Sequence, residues 1–377
     1  MRGSIRKRGN VYYYRYRENG KLIEKRAGSK EEAEKKLTEI IYRINTGYIP
    51  SSDMFLEDYM NMWLEDYVKE EKSENTYDKY LKTSQKYIIP ILGNIKLNEL
   101  KVVHIEKFIR ELRKNKLSPT SIQTYYGFLR AALNKAVKLQ MLNDNPCKFI
   151  DTPKRGKFKA NTLTVEEFKK IYDKLNAELY EDYIMKLGLD ITLELGLRRG
   201  EMCGLTWEDI DYKNKCIHIN QALIRVENSY KISQLKTESS YRTLPLSDNL
   251  INILKSHDKI QKLNKINYGP AYITNEFENK KYNLIFTWQN GKYIIPSNFL
   301  QRLKRLMTYC NIDKNIRWHD LRHTNATLLL EGGASMKTVQ ERLGHSLMQT
   351  TSDTYAHVTE KMNREATNII TSILNIK

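Results

Sequence analysis

The period of the apolar residues changes along this chain, and a chain that changes period folds into more than one kind of unit. Over Val11–Arg17 the period is two: Tyr12, Tyr14 and Tyr16 share one face, while Val11, Tyr13, Arg15 and Arg17 share the other. With Ser4–Arg8 and Lys21–Arg26 this predicts three short strands, the last two joined by a turn at Asn19-Gly20. Ser29, with Glu32 three residues on, is a capping box, so a helix follows to about Asn45 and Gly47 ends it. From Ser52 to Asn145 the spacing becomes three and four. Phe55, Tyr59, Met62 and Trp63 form one stripe, and Tyr77, Tyr80, Leu81, Ser84 and Ile88 a second. Ile105, Phe108, Ile109 and Leu112 form a third, and Ile122, Tyr125, Leu129, Leu133 and Val137 a fourth. Pro90, Gly93, Pro119 and Pro146 punctuate the joints, which gives a four- or five-helix unit.

Residues 151–160, Asp-Thr-Pro-Lys-Arg-Gly-Lys-Phe-Lys-Ala, are polar, basic and aperiodic, as a linker would be. A capping box at Thr164 and Glu167 opens the last unit. It mixes helices with short strands around Cys216–Asn220, Ala222–Val226, Lys231–Leu235 and Arg242–Leu246. The expected fold class is multidomain: a small β-sheet-plus-helix module over 1–50, an all-α domain over 52–150, the linker, and a mainly helical α+β domain over 161–377.

Charge narrows the partner. Lys and Arg number 63 against 45 Asp and Glu, a net +18, and an excess of that size points to a polyanion, most commonly nucleic acid. A merely basic soluble protein is the rival reading. The first fifty residues hold 13 Lys and Arg against 6 Glu, a net +7. A strand face bearing Arg15, Arg17 and tyrosines suits a DNA groove, though a solvated face over a small core would look alike. In the linker, Lys154, Arg155 and Lys157 suit a segment lying along a phosphate backbone. Cys147, Cys203, Cys216 and Cys310 have no C-x-x-C spacing and read as reduced thiols, not as a zinc site or disulfide frame. The basic start, Met1 to Arg8, has no apolar stretch behind it, and no run reaches the length of a membrane span. The expectation is a cytoplasmic protein working at the nucleoid.

Five short pieces of the last unit carry chemistry. They are Gly196-Leu197-Arg198-Arg199-Gly200-Glu201, Lys236-Thr237, His319-Asp320-Leu321-Arg322-His323-Thr324, Leu343-Gly344-His345, and Tyr355 in Asp353-Thr354-Tyr355-Ala356-His357. Each alone is weak. In this order and at these intervals the chain resembles the tyrosine recombinase and phage integrase family. Upstream, the helical stretch with Ile91-Leu92-Gly93 and Asn145-Pro146 is similar to that family's core-binding domain, and the first fifty residues resemble the arm-binding domain of lambda-type integrases.

The resemblance implies a site-specific recombinase that needs no cofactor or metal. It joins DNA through a 3′-phosphotyrosyl intermediate and a Holliday junction, integrating or excising a phage or conjugative transposon. Tyr355 would be the nucleophile. A phenol with a pKa near 10 needs help losing its proton at neutral pH, and His319 would supply it. Arg198 and Arg322 suit the charge that develops on the non-bridging oxygens, because guanidinium forks are planar, permanently positive and bidentate. His319 precedes Arg322 by three residues, so a helix presents both on one side. Lys236 would protonate the leaving 5′-oxygen, with Lys231 as a nearby rival, and His345 would hydrogen-bond the phosphate. Arg199, His323 and His357 read as neighbours of the motif positions, and Glu201 as the salt-bridge partner of a site arginine.

The implied partners are double-stranded DNA at core and arm sites, a homo-tetramer on synapsed DNA, and excision and DNA-bending accessory proteins. Beyond Tyr355, the spacing of Val358, Met362, Ala366, Ile369 or Ile370, and Ile373 predicts an amphipathic tail whose apolar stripe must be buried; it could fold back on its own domain, while the resemblance implies docking on a neighbouring protomer. Three other readings compete. The stretch from Thr327 to Leu343 could be a helix-turn-helix of a non-catalytic regulator. A nicking-closing topoisomerase or a chromosome-dimer resolvase would share the chemistry, but neither accounts for the arm-like module.

Overall fold

The computed structural model describes residues 3–9, 11–18, 21–46, 54–154, 161–226, 229–235 and 237–344. Lys236, His345, Tyr355, His357, the tail, Arg155, Lys157, the Asn19-Gly20 turn and Gly47 lie outside them. The chain divides into two compact units, Met1–Lys157 and Phe158–Lys377.

The first unit opens with three antiparallel strands in the order β1-β2-β3: β1 Ser4–Arg8, β2 Val11–Glu18 and β3 Lys21–Ala27. Helix α1, Lys30–Thr46, follows. Tyr14 and Tyr16 are buried with Ala27, Ala33 and Leu37, so one face of β2 forms the small core, as its alternation requires. The register puts Arg6 and Arg26 beside Tyr13, Arg8 beside Val11, and Glu24 beside Arg15 on the opposite face. Arg6, Arg8, Arg17 and Arg26 are exposed there, and Glu24 sits 3.4 Å from both Arg8 and Arg15. The cap of α1 differs slightly from the expected box. Ser29 Oγ accepts from Glu32 N at 3.1 Å, but the Glu32 carboxylate accepts from Gly28 N at 2.7 Å.

The helical part runs through α2 Leu56–Trp63, α3 Lys69–Glu71, α4 Glu74–Thr83, α5 Ile89–Leu92, α6 Val102–Lys114 and α7 Pro119–Lys138. Turns of π-helix, Leu64–Val68 and Ser84–Ile88, join α2 to α3 and α4 to α5. Ile105, Phe108, Ile109 and Leu112 are all buried, each worth roughly 1.5–3 kcal/mol of transfer free energy. The first stripe needs correcting. Phe55 is exposed because it is the extended N-cap of α2, at φ −71° and ψ 152°, so helical register starts one residue later and buries Leu56, Tyr59, Met60 and Trp63. In α7 the core position is Tyr126, whose hydroxyl donates to Cys147 O at 2.7 Å, while Tyr125 stacks on Tyr87. Asn145 closes the domain by donating to Arg130 O and Asn134 Oδ1.

The second unit comprises α8 Val165–Asp173, α9 Tyr180–Leu195, the short α10 Arg199–Cys203, β4 Ile210–Asp211, β5 Cys216–Ile219, β6 Gln221–Val226, β7 Ser229–Gln234 and β8 Arg242–Pro245. Then come α11 Asp248–Tyr268, β9 Asn275–Phe277, β10 Lys280–Tyr282, α12 Pro296–Tyr309, α13 Trp318–Glu331 and α14 Met336–Leu343. The Thr164–Glu167 capping box is present in full. The strands make two small sheets, β4-β5-β8 and β6-β7, plus the β9-β10 ribbon. Helices α9, α12 and α13 pack into a core shared with the strands and loops between them, with Phe299 edge-on to Phe286 and tilted against Trp318.

Helix α13 buries Trp318, Asp320, Leu321, Arg322, His323, Thr324, Asn325, Ala326, Thr327 and Leu330. A helix so enclosed cannot itself lie in a DNA groove, whereas α14, the second helix of the Thr327–Leu343 stretch, buries only Val339 and Leu343. No described helix is long and apolar enough to cross a membrane.

Candidate active site

Helix α9 ends at Gly196 and α14 ends at Gly344, both left-handed, at φ 63°. A β-carbon would meet Asn325 Oδ1 at 2.7 Å at the first position and Ser239 O at 2.7 Å at the second, so glycine is required by conformation and space together. Both motif glycines thus bring a helix end, with its unpaired carbonyls and negative dipole end, to one place.

Arginines meet those carbonyls. Arg322, 1% exposed, donates from Nη1 to Gly196 O at 2.7 Å and from Nη2 to Leu343 O, joining the two helix ends. Arg198 donates from Nη2 to Gly344 O at 3.3 Å. Arg242 donates from Nε to Arg342 O at 2.9 Å. Three consecutive carbonyls, those of 342, 343 and 344, are therefore held by three different guanidinium groups. Arg342 and Asn325 hold the other helix end, donating to Glu194 O and Leu193 O at 2.8 and 2.6 Å.

One carboxylate ties the cluster together. Glu201 accepts from Arg198 Nη1 at 2.6 Å and Arg198 N at 2.9 Å, and from Arg242 Nη2 at 2.8 Å. Burial pushes its pKa up, but Arg242 and then Arg198 outweigh burial and hold it below the ordinary value, so Glu201 is ionised. The expected pairing of Glu201 with a site arginine is what the geometry contains; its second partner, Arg242, is not legible in the motif. The signal available is the carboxylate itself, since a buried Glu beside a single, partly exposed Arg needs compensating charge from elsewhere.

His319 and Arg322 both stand on α13, whose first turn is fixed by Asp320 accepting from Arg317 N at 2.7 Å. His319 is exposed, with His323 packed edge-on at 5.0 Å between ring centres. Neighbouring groups crowd the ring although the residue stays accessible to solvent. That crowding foremost, then the charges of His323 and Arg322, pushes the His319 pKa down to about 4, so the imidazole is neutral at pH 7.

Arg199 is the first residue of α10 and takes no part in the carbonyl clamp. Lys231, the rival to Lys236, lies on β7 within 3.5 Å of Glu278. Of the anticipated DNA contacts, Arg15 is half-buried beside Glu24, while Arg17 and Lys154 are exposed.

Among the described residues one group could hold a metal ion, Asp211, Cys216 and His218. The Asp211 carboxylate is already used by Lys213 N, Asn214 N and Asn214 Nδ2, and His218 Nδ1 by Thr243 Oγ1. The four cysteines are free thiols.

Residues 161–362 match the phage integrase family, and residues 55–113 match the N-terminal SAM-like domain of phage integrases. A tyrosine recombinase XerC-like protein of Caldanaerobacter subterraneus is 33% identical over 93% of this chain and 92% of its own length. The chain belongs to the phage integrase family. It is a tyrosine-type site-specific recombinase. The integrase of Staphylococcus phage L54a is 30% identical to this recombinase over 81% of the chain and 89% of that protein. Its fold is shared with the Tn1549 transposon integrase solved with transposon right-end DNA, at TM-score 0.69 and 21% identity over 83% of this chain and 100% of that one. A lambda integrase tetramer solved on a Holliday junction matches at TM-score 0.61 and 16% identity, over 91% and 94% of the two chains.

Proposed function

We propose that this recombinase integrates or excises a mobile element by cutting double-stranded DNA with Tyr355. The observation that carries the reading is the carbonyl clamp: Arg198 and Arg322, from separate elements, converge on adjacent carbonyls beside a neutral, accessible His319. Groups that hold carbonyl oxygens 2.7–3.3 Å away are placed to hold phosphate oxygens instead.

The Tyr355 hydroxyl passes its proton to His319 as its oxygen bonds to the scissile phosphorus. The bond from phosphorus to the 5′-oxygen breaks, and Lys236 gives that oxygen a proton. The products are a 3′-phosphotyrosyl bond and a free 5′-hydroxyl. Arg198, Arg322 and His345 stabilise the charge that builds on the non-bridging oxygens. Attack by a 5′-hydroxyl from the second duplex reverses the steps and exchanges strands through a Holliday junction. Two duplexes and four strands call for four protomers, so the working assembly is a tetramer on synapsed DNA, with the tail beyond Tyr355 linking neighbours. The residue divisions 1–50, 52–150, 151–160 and 161–377 serve as arm-binding module, core-binding domain, basic linker and catalytic domain. The exposed arginines of the β1-β2-β3 face bind the arm site, and excision and bending proteins act with them on the element's ends.

The test is a nicked suicide substrate. The wild-type chain should form a covalent adduct sensitive to protease, and Tyr355→Phe should bind the same DNA without forming one. An adduct that survives Tyr355→Phe assigns the nucleophile elsewhere.

A further inference from the structure

Arg242 has no role in the steps above, and its side chain is 6% exposed. Resting on the recombinase reading, we propose that Arg242 is a positioning residue. It sets both the charge and the place of Arg198 through Glu201, and it locks the carboxyl end of α14 to the turn that follows Lys236. All three of its nitrogens are committed inside the protein. Nη2 donates to Glu201 Oε2 at 2.8 Å, Nε to Arg342 O at 2.9 Å and Nη1 to Ser240 O at 2.9 Å. Those partners lie on α10, at the end of α14 and in the 3₁₀ turn Glu238–Ser240. A guanidinium engaged this way has no nitrogen turned to a phosphate, so it acts through its neighbours.

The balance of charge shows what it supplies. Arg198, Arg242, Arg322 and the ionised Glu201 carry a formal +2 between them, from three cations less one anion. Without Arg242 the sum falls to +1, and Glu201 has only Arg198 as a direct ion-pair partner. Arg198 is 37% exposed and already gives Nη1 to Glu201, so with Arg242 gone its Nη2 would be drawn from Gly344 O to the carboxylate oxygen that Arg242 left, turning the fork away from the phosphate. The same change strips a donor from Arg342 O, one residue before the Leu343-Gly344-His345 motif. Geometry and charge fail together at Arg198, while the surfaces that grip DNA elsewhere are untouched.

The experiment measures single-turnover adduct formation on the suicide substrate at saturating protein, with DNA affinity in parallel, for wild type, Arg242→Gln, Arg242→Lys, Arg198→Lys and the Arg242→Gln/Arg198→Lys pair. Arg242→Gln should slow cleavage about 10- to 100-fold, with affinity changed less than about threefold. Arg242→Lys keeps the buried charge but not the three-way bonding, and should fall between the two; it also carries the test if Arg242→Gln does not fold. In the Arg198→Lys background, Arg242→Gln should cost less than about threefold more, because its effect runs through the missing guanidinium. Wild-type cleavage by Arg242→Gln overturns the proposal, and so do costs that multiply in full in the double variant, which would mark an independent structural role. The recombinase reading itself is judged separately, by whether the wild-type adduct forms and vanishes in Tyr355→Phe.

Discussion

Two sets of arginines in this chain are put to opposite uses. On the N-terminal sheet Arg6, Arg8, Arg17 and Arg26 stand exposed on one face, with Glu24 the acid at that face. In the second unit Arg198, Arg242 and Arg322 are wholly or partly sunk, and each donates to named oxygens. An exposed guanidinium follows a phosphate wherever the backbone runs and exchanges it for counterions, so it yields affinity that salt erodes. A buried one has given up that freedom, and its desolvation is offset by a fixed direction. Fixed donors cost no reorganisation as charge develops, which is what a transition state rewards. The first set should therefore govern binding and the second rate.

The largest effect should follow Arg322→Ala. Cleavage should fall by about 10²–10³, with affinity for core DNA changed only a few-fold. The substitution also strips the donors of Gly196 O and Leu343 O, at about 1–3 kcal/mol for each buried acceptor left unsatisfied, so rates must be measured well below the melting temperature. If affinity dropped as far as rate, the buried set would be binding residues and the contrast would collapse.

Changing Arg6, Arg8, Arg17 and Arg26 together to Gln should do the reverse. Cleavage at a core site should be unchanged, while binding to DNA bearing an arm site weakens. Its log–log salt slope should flatten by about 0.9 for each phosphate that is no longer neutralised. Footprints identical to wild type would deny the sheet an arm-site role.

Both the contrast and its limits are written in the sequence to different degrees. The alternation of β2 foretells which face is apolar, because strand period is local and Tyr14 and Tyr16 have nowhere else to go. The stripe Ile105, Phe108, Ile109 and Leu112 foretells the buried face of α6 for the same reason. Phe55 misleads because the start of a helix is a property of backbone geometry at one residue, and a π turn such as Leu64–Val68 shifts register without any signature in the 3.6 period. The site shows the same division. Arg198 next to Glu201 is a pairing within one turn and is legible. The reach of Arg242 to residues 41 positions back and 100 positions on depends on how α10, β8 and α14 pack, and no local pattern encodes it. That Arg322 caps two helix ends is equally hidden, since its motif announces a cation and not the carbonyls it holds.

A smaller effect sharpens the role of the α14 end. Gly344→Ala puts a methyl group 2.7 Å from Ser239 O at a residue with φ +63°, which should cost about 1–3 kcal/mol in stability. If the carbonyls of 342–344 serve only as caps, cleavage by the folded fraction should be normal. If they register the arginines, as the shared hydrogen bonds require, it should fall several-fold with affinity intact.

The smallest effect, and the most direct probe of how the second arginine set shapes its surroundings, is the titration of His319. Its ordinary pKa near 6.5 is pushed to about 4 in the folded chain, by crowding first and then by the charges of His323 and Arg322. Between those values the unfolded chain binds a proton that the folded one refuses. The stability this represents is fully present above pH 6.5 and is lost as the pH falls from there toward 4. His323 is shifted the same way, so the two rings add in sign. The melting temperature of the wild type should fall across that window more steeply than that of His319→Gln, by a modest margin because the residue stays accessible to solvent. Second-order cleavage, which reports the free enzyme, should show no acid limb near 6.5 due to this residue. A limb at 6.5 that disappears in His319→Gln would mean that the ring titrates as it does in water. Neither the crowding nor the charges of His323 and Arg322 would then act on His319, and the contrast between the sunken arginines and the exposed ones of the sheet would lose its support at this ring.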